Sequence, residues 1–213
     1  MNISKIKEQA LKYLGYQGQS IDIQTEKLIN ECLDEINQIA HFKVVYQRYP
    51  LNHHPLRLHH ISLEYDDLIT LFQDCHEVIV IGCTLGVAFE RTMKKLYLIN
   101  MTKATIMDAI GSSYLEACCD EYEKTIIKEK RTFRFCPGYG RVPLSLNREL
   151  AQLLDCSKHI GLTIQNNDLL LPQKSMIGII GLGQDKTKKS CHHCKQIEHC
   201  QFRKRGQRCY KTN

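Results

Sequence analysis

The stretch RFCPGYGRVPLS, residues 134–145, sets an arginine, a stiff bend and a tyrosine within six residues. Gly138 and Gly140 permit positive φ and let a ligand come against the main chain. Pro137 stiffens the bend, which lowers the entropy lost on binding. Arg134 offers a planar fork suited to a carboxylate or phosphate, and Tyr139 a flat face with one hydroxyl. Together they suit a small molecule with a carboxylate at one end and a ring or cation at the other. On the local residues alone, a Gly-Pro surface turn with an exposed arginine competes with this reading.

Working outward, the segment before the bend is helical. Ile99–Lys130 carries one apolar stripe of Leu115, Cys119, Tyr122 and Ile126 and another of Ile106, Ile110, Tyr114 and Ala117, which predicts a helix packed on two sides. Glu116 falls between the stripes, close to the core. Further back, VIVIGCTLG (Val78–Gly86) reads as a buried strand broken by Gly82 and Gly86 and followed by a helix through Lys95. Residues 4–14 and Gln24–Ala40 read as helices, the second capped by Ser20 or Asp22. FKVVY (Phe42–Tyr46) alternates like a strand, HHPLRLHH is a polar turn-bounded segment, and Ser62–Phe72 suits a short helix. After the bend, Leu150–Cys156 is helical. Leu162–Ile164 and Leu169–Leu171 pair around NND, and SMIGIIGL (Ser175–Leu182) reads as a strand. Gly178, Gly181 and Gly183 either weaken that strand or let something approach its backbone. Strands and helices mix without a βαβ rhythm, which predicts an α+β fold.

The chain has 213 residues, 43% apolar and 24% charged, an ordinary balance for a globular core. No run of about 18 apolar residues is present, so no membrane span is expected. MNISKIKEQALKYLGYQGQ lacks the apolar core of a secretory signal, so a cytoplasmic location is expected. The net charge is +6, but residues 185–213 hold nine Lys or Arg against two acids. The preceding 184 residues therefore carry −1, with no nucleic-acid footprint. Of the eleven cysteines, Cys32, Cys75, Cys83, Cys118, Cys119, Cys136 and Cys156 are scattered, mostly in apolar company, and read as small buried hydrophobes.

RFCPGYG followed by PLS resembles the S-adenosylmethionine-binding loop of the activation domain of cobalamin-dependent methionine synthase. The resemblance continues in family order through YLGYQGQSID, VIVIGCTLG, DAIGSSYLEACCDEYE and LLLPQKSMIGIIGLG, the last matching a Pro-x-x-Ser-x-x-Gly segment. It covers about residues 1–184 and implies a curved, twisted antiparallel sheet surrounded by helices. It also implies a repair role, in which S-adenosylmethionine and one electron from a flavodoxin-like or ferredoxin-like donor restore methylcobalamin on a corrinoid protein that has slipped to cob(II)alamin. Carried over residue by residue, Arg134 grips the methionine carboxylate and Cys136 and Gly138 offer backbone groups. Tyr139 lies against the ligand near the corrinoid face, in the catalytic position, and Glu116 meets the ligand's amino group. Three departures stand out. Cys136 replaces the family's usual Ser or Ala. The family's N-terminal ligand-contacting Asp has no clear match, so Asp22 is not carried over. No Asp-x-His-x-x-Gly cobalamin motif is present, so the cobalamin would be carried by a separate methionine synthase or corrinoid partner.

Residues 185–213 form a basic appendage with Cys191-x2-Cys194-x5-Cys200-x8-Cys209. Four thiolates, one pair on a tight turn, make a complete tetrahedral ligand set for zinc or an iron–sulfur cluster, and His192, His193 or His199 could replace one of them. The neighbouring cations would lower the thiol pKa values. Two other functions stay open: a zinc-binding adaptor whose basic tail contacts nucleic acid, and a degenerate pocket kept as a scaffold.

Overall fold

The computed structural model describes residues 2–16, 18–183, 197–204, 206 and 208. At its centre lies β4 (Glu77–Thr84), antiparallel to β1 (Lys43–His53) on one side and to β7 (Ser175–Leu182) on the other. β2 (Leu56–Leu58) and β3 (Ile61–Ser62) extend the sheet beyond β1, giving the order β3-β2-β1-β4-β7. Every ladder is antiparallel, and the sheet curls into a half-barrel, so the expected α+β class and curved sheet are the architecture found.

Both faces of β4 are covered, which explains its continuous apolar run. Ile79, Ile81 and Cys83 point to one core with Ile29, Phe89, Met107 and Ile110. That core is built by α1 (Ile3–Tyr13), α2 (Ile23–Ile39), α4 (Gly86–Ile99) and α5 (Met101–Ile126). Val78 and Val80 point to the opposite core with Leu68, Phe72, Leu150 and Cys156. It is built by α3 (Asp66–Phe72), α6 (Leu146–Leu153) and α7 (Cys156–Ile160), beside the hairpin of β5 (Thr163–Ile164) and β6 (Leu170–Leu171). The hairpin pairs Ile164 with Leu170 and Thr163 with Leu171, as the flanking NND predicts.

Local chemistry sets the element ends. Asp22 is the N-cap of α2, its carboxylate accepting from the Thr25 N–H at 2.9 Å, so that acid is spent on the helix. Asn100 caps α5 in the same way through the Lys103 N–H and separates it from α4. Two expectations are corrected. Gly82 does not break β4: a Cβ there would sit 3.0 Å from Cys156 Sγ, so the glycine lets α7 close against an unbroken strand. HHPLRLHH is not only a polar turn: Leu56 and Leu58 are buried at a period of two on either side of exposed Arg57, and this makes β2.

The scattered cysteines behave as small hydrophobes. Cys32, Cys75, Cys83, Cys119 and Cys156 are buried, and Cys118 and Cys136 are partly exposed. Burial pushes the Cys32 thiol up to about 11 and the Cys156 thiol up to about 12. Neither supplies a thiolate near neutral pH.

Cys191, Cys194 and Cys209 lie outside the described residues, as does the expected domain boundary at 184/185; Cys200 is described and partly exposed. α8 (Gln201–Lys204) sets the Phe202 ring edge-on to Tyr13, with centroids 6.4 Å apart. Among the described residues no helix is long and apolar enough to cross a membrane, and no group of three His, Cys, Asp or Glu is placed to hold a metal ion.

The glycines of β7 admit neighbours to its backbone. A Cβ on Gly181 would lie 2.5 Å from Cys75 Sγ and 2.8 Å from the Phe72 ring. Gly181→Ala is expected to cost about 1–3 kcal/mol by overpacking. Urea denaturation of Gly181→Ala, Cys75→Ala and the double variant checks it. The double variant should be more stable than the two single effects summed, because the shorter side chain at 75 vacates the contested space.

Candidate functional site

Residues 130–135 run antiparallel to β7 as a partial sixth strand. Arg131 bridges Leu182, and Phe135 exchanges both backbone hydrogen bonds with Ile179 at 2.9 and 2.8 Å. Continuing that register would set Pro137 against Ile177. Proline has no N–H to donate, so the ladder stops and the chain peels away. The bend then closes on itself: the Gly138 N–H donates to the Val142 carbonyl at 3.0 Å, with Gly138 at φ 95° and Gly140 at φ 54°. Asp67 at the start of α3 pins it, its Oδ2 accepting from the Arg141 N–H at 2.7 Å.

Where the strands part, a cleft of about 360 Å³ opens. Cys136, Pro137 and Leu144 line it from the bend, and Gln173, Ser175, Met176 and Ile177 from β7 and the approach to it. Asp168, Leu169 and Leu170 line it from the hairpin, and Asn147 from α6. Its walls are tied down. Arg148 on α6 donates to Asp168 at 2.8 Å, and the Gln173 N–H donates to the buried Glu90 at 2.9 Å. Lys174 reaches Ser112 and Asp108 on α5, each at 2.8 Å.

Beside the cleft lies a buried charge cluster. The aliphatic stem of Arg134 crosses β7 at Gly178, where a Cβ would meet its Cγ at 2.5 Å; the strand glycine is there to admit the arginine. The guanidinium, 6% exposed, turns to α5. Nη1 donates to Glu123 and, at 3.2 Å, to Cys119 Sγ; Nη2 donates to Glu116 at 2.7 Å and to Asp120 at 3.3 Å. Glu123 also faces Arg131 at 3.3 Å. Burial opposes the charge on Arg134, but the acidic groups around it, with Glu116 and Asp120 the charged ones near neutral pH, outweigh it and raise its pKa above the ordinary arginine value. Cys119 is held as a neutral thiol, its pKa raised by a hydrogen bond with Cys83 and by burial. Three carboxylates against two guanidinium groups leave the cluster one negative charge in excess.

The sequence-predicted residues are thus distributed unevenly. Arg134 and Glu116 are brought together, but as partners of each other. Cys136 lines the cleft. The Gly138 N–H is already engaged within the bend, and Tyr139 is 57% exposed at its tip. Asp120, Glu123, Asn147 and Gln173 were not singled out by sequence reasoning, and Ser175 only as the serine of the Pro-x-x-Ser-x-x-Gly segment. Glu116, Asp120 and Glu123 recur at steps of four and three, a single helix face that the spacing alone could have revealed.

No family model matches the chain, and no curated protein matches it. Among solved structures, the crystal structure of the MetH reactivation domain bound to AdoHcy superposes at a TM-score of 0.61 with 12% sequence identity. The match covers 97% of this chain and 83% of that one. The chain therefore has the fold of the MetH reactivation domain.

Proposed function

We propose that the chain is an S-adenosylmethionine-binding reactivation module that supports reductive methylation of cob(II)alamin on a separate methionine synthase or related corrinoid protein. The observation that carries this is the cleft at Pro137 set beside a buried guanidinium–carboxylate cluster, on a fold shared with the MetH reactivation domain solved with AdoHcy bound. The cleft volume falls in the range of small-molecule sites, and its walls mix apolar surface with a few polar groups.

The cluster suits an amino-acid zwitterion in a particular way. Arg134 is saturated by internal acids, so a ligand carboxylate reaches Nη2 only by taking the place of Glu116 or Asp120. Those two side chains are 38% and 39% exposed, whereas Glu123 is 7% exposed. The outer acids are therefore the ones that exchange, and Glu123 stays as the anchor. When the zwitterion enters, its carboxylate pairs with Arg134 and its ammonium with the released acids, so no charge is left buried alone. S-adenosylmethionine supplies a sulfonium methyl group. The chain's own part is to hold that ligand at the cleft and present the methyl outward past Tyr139. The methyl group would pass to a corrinoid on the partner protein that one electron from a flavodoxin-like or ferredoxin-like donor has reduced, and S-adenosylhomocysteine would stay at the cleft. A cytoplasmic setting fits these partners, and a zinc or iron–sulfur centre on Cys191, Cys194, Cys200 and Cys209 would serve the tail.

Calorimetric titration with S-adenosylmethionine and S-adenosylhomocysteine tests the reading, with saturable binding expected for both and silence overturning it. Glu116→Gln should weaken binding about ten- to a hundredfold, the value of a charge-assisted hydrogen bond, while unfolding stays within about 0.5 kcal/mol of the parent. Arg134→Ala should behave differently. It takes the guanidinium away from the buried Glu123, which keeps only Arg131, and is expected to cost about 3–5 kcal/mol of stability. Chemical denaturation monitored without ligand checks that separation of roles. Tyr139→Ala should leave S-adenosylhomocysteine binding within about twofold and slow methylation of an added cob(II)alamin protein, measured by its visible spectrum under a reductant.

A further inference from the structure

Asn147 stands in the first turn of α6, its own N–H donating to the Leu144 carbonyl at 2.9 Å. It is 4% exposed and lines the cleft. Among the described residues, two buried side-chain polar atoms lack a hydrogen-bond partner: Asn147 Oδ1 and Arg131 Nη1. The second has its charge met by Glu123 at 3.3 Å. The first has nothing. A buried amide oxygen without a donor is destabilising, and such atoms in native proteins are few and call for a reason. Nearby polar groups do not serve it: Asp168 accepts from Arg148, and the Ser175 hydroxyl lies 2.6 Å from the Pro172 carbonyl and 2.7 Å from Thr84 Oγ1. Around it, Pro137, Leu144, Leu169 and Leu170 supply flat apolar walls. An unmet acceptor bordered by apolar walls suits a planar ring that bears an N–H donor.

We propose that Asn147 is a specificity-determining residue whose Oδ1 accepts a hydrogen bond from the exocyclic amino group of the ligand's purine ring. This rests on the S-adenosyl reading of the cleft and assigns its two ends: the zwitterion at Arg134 and the acids of α5, the base at α6. The unsatisfied acceptor is then a site held ready at the expense of stability in the free protein.

The test is a pair of ligands against three proteins. S-adenosylhomocysteine and its analogue carrying hydrogen in place of the 6-amino group are titrated into the parent chain, Asn147→Leu and Asn147→Ala, and the Tm of each free protein is recorded. The parent should prefer the amino form about ten- to a hundredfold, in line with a hydrogen bond to a buried acceptor. Both variants should bind the two ligands within about threefold of each other. The free Asn147→Leu protein should melt at or above the parent, because an apolar side chain of similar size removes the unmet acceptor. A residue kept only for packing or helix structure would lower Tm and leave the ligand preference alone. A preference that survives in both variants, or is absent in the parent, overturns the proposal while leaving the cleft's ligand class intact. If the parent binds neither ligand, the S-adenosyl reading itself fails, and the proposal with it.

Discussion

A guanidinium buried to 6% exposure must be paired, and the pairing of Arg134 organises this half of the molecule. Its partners lie on α5, its stem lies across β7, and its backbone belongs to the partial strand that precedes the bend. α5 and the partial strand that follows it are thereby tied to β7, some forty residues further on. Loss of Arg134 or of Glu123 leaves charge in a place from which water is excluded, whereas Glu116 and Asp120 are partly solvated. This explains why β7 carries a glycine at 178: a side chain there would occupy the path of the arginine.

The cleft follows from a neighbouring constraint. Antiparallel pairing between residues 130–135 and β7 would continue if every residue could donate, and Pro137 cannot. The opening lies two residues beyond the last bridge, and its rims are secured by Arg148–Asp168 on one side and Gln173–Glu90 on the other. The bend is rigid because Gly138 and Gly140 adopt positive φ and close a short internal hydrogen bond. A concave, fixed wall thus sits next to a charged cluster whose outer acids are partly solvated. On the proposed reading, that juxtaposition would allow a zwitterion to exchange into existing ion pairs without stranding a charge.

Much of the architecture was legible in the residues themselves. VIVIG and SMIGIIG have the continuous apolar character of strands covered on both faces, and they lie side by side as β4 and β7. The NND hairpin, the helix at Gln24–Ala40 and the burial of most scattered cysteines follow from period and turn chemistry. β2 was hidden because two leucines within HHPLRLHH are too short a pattern to outweigh four histidines. Gly82 pointed to a break because a glycine in a strand has two meanings, weakness or close approach, and only the position of Cys156 distinguishes them.

The candidate site divides along the same line. The sequence by itself determined that the bend at 134–140 would be stiffened by proline, free to take positive φ at its glycines and flanked by a cation and a ring, because proline and glycine act on their own backbone. It also placed Glu116 between the two apolar stripes of α5, close to the core, where its side chain proves partly exposed. Only the tertiary structure decided that Arg134 would turn inward to Glu116, Asp120 and Glu123, that the ladder would open at Pro137, and that Asn147 would reach the cleft with its oxygen unmet. The reason is physical: charge pairing and hydrogen-bond satisfaction depend on which distant groups share a buried volume, and one-dimensional spacing carries that information only within a single helix or strand.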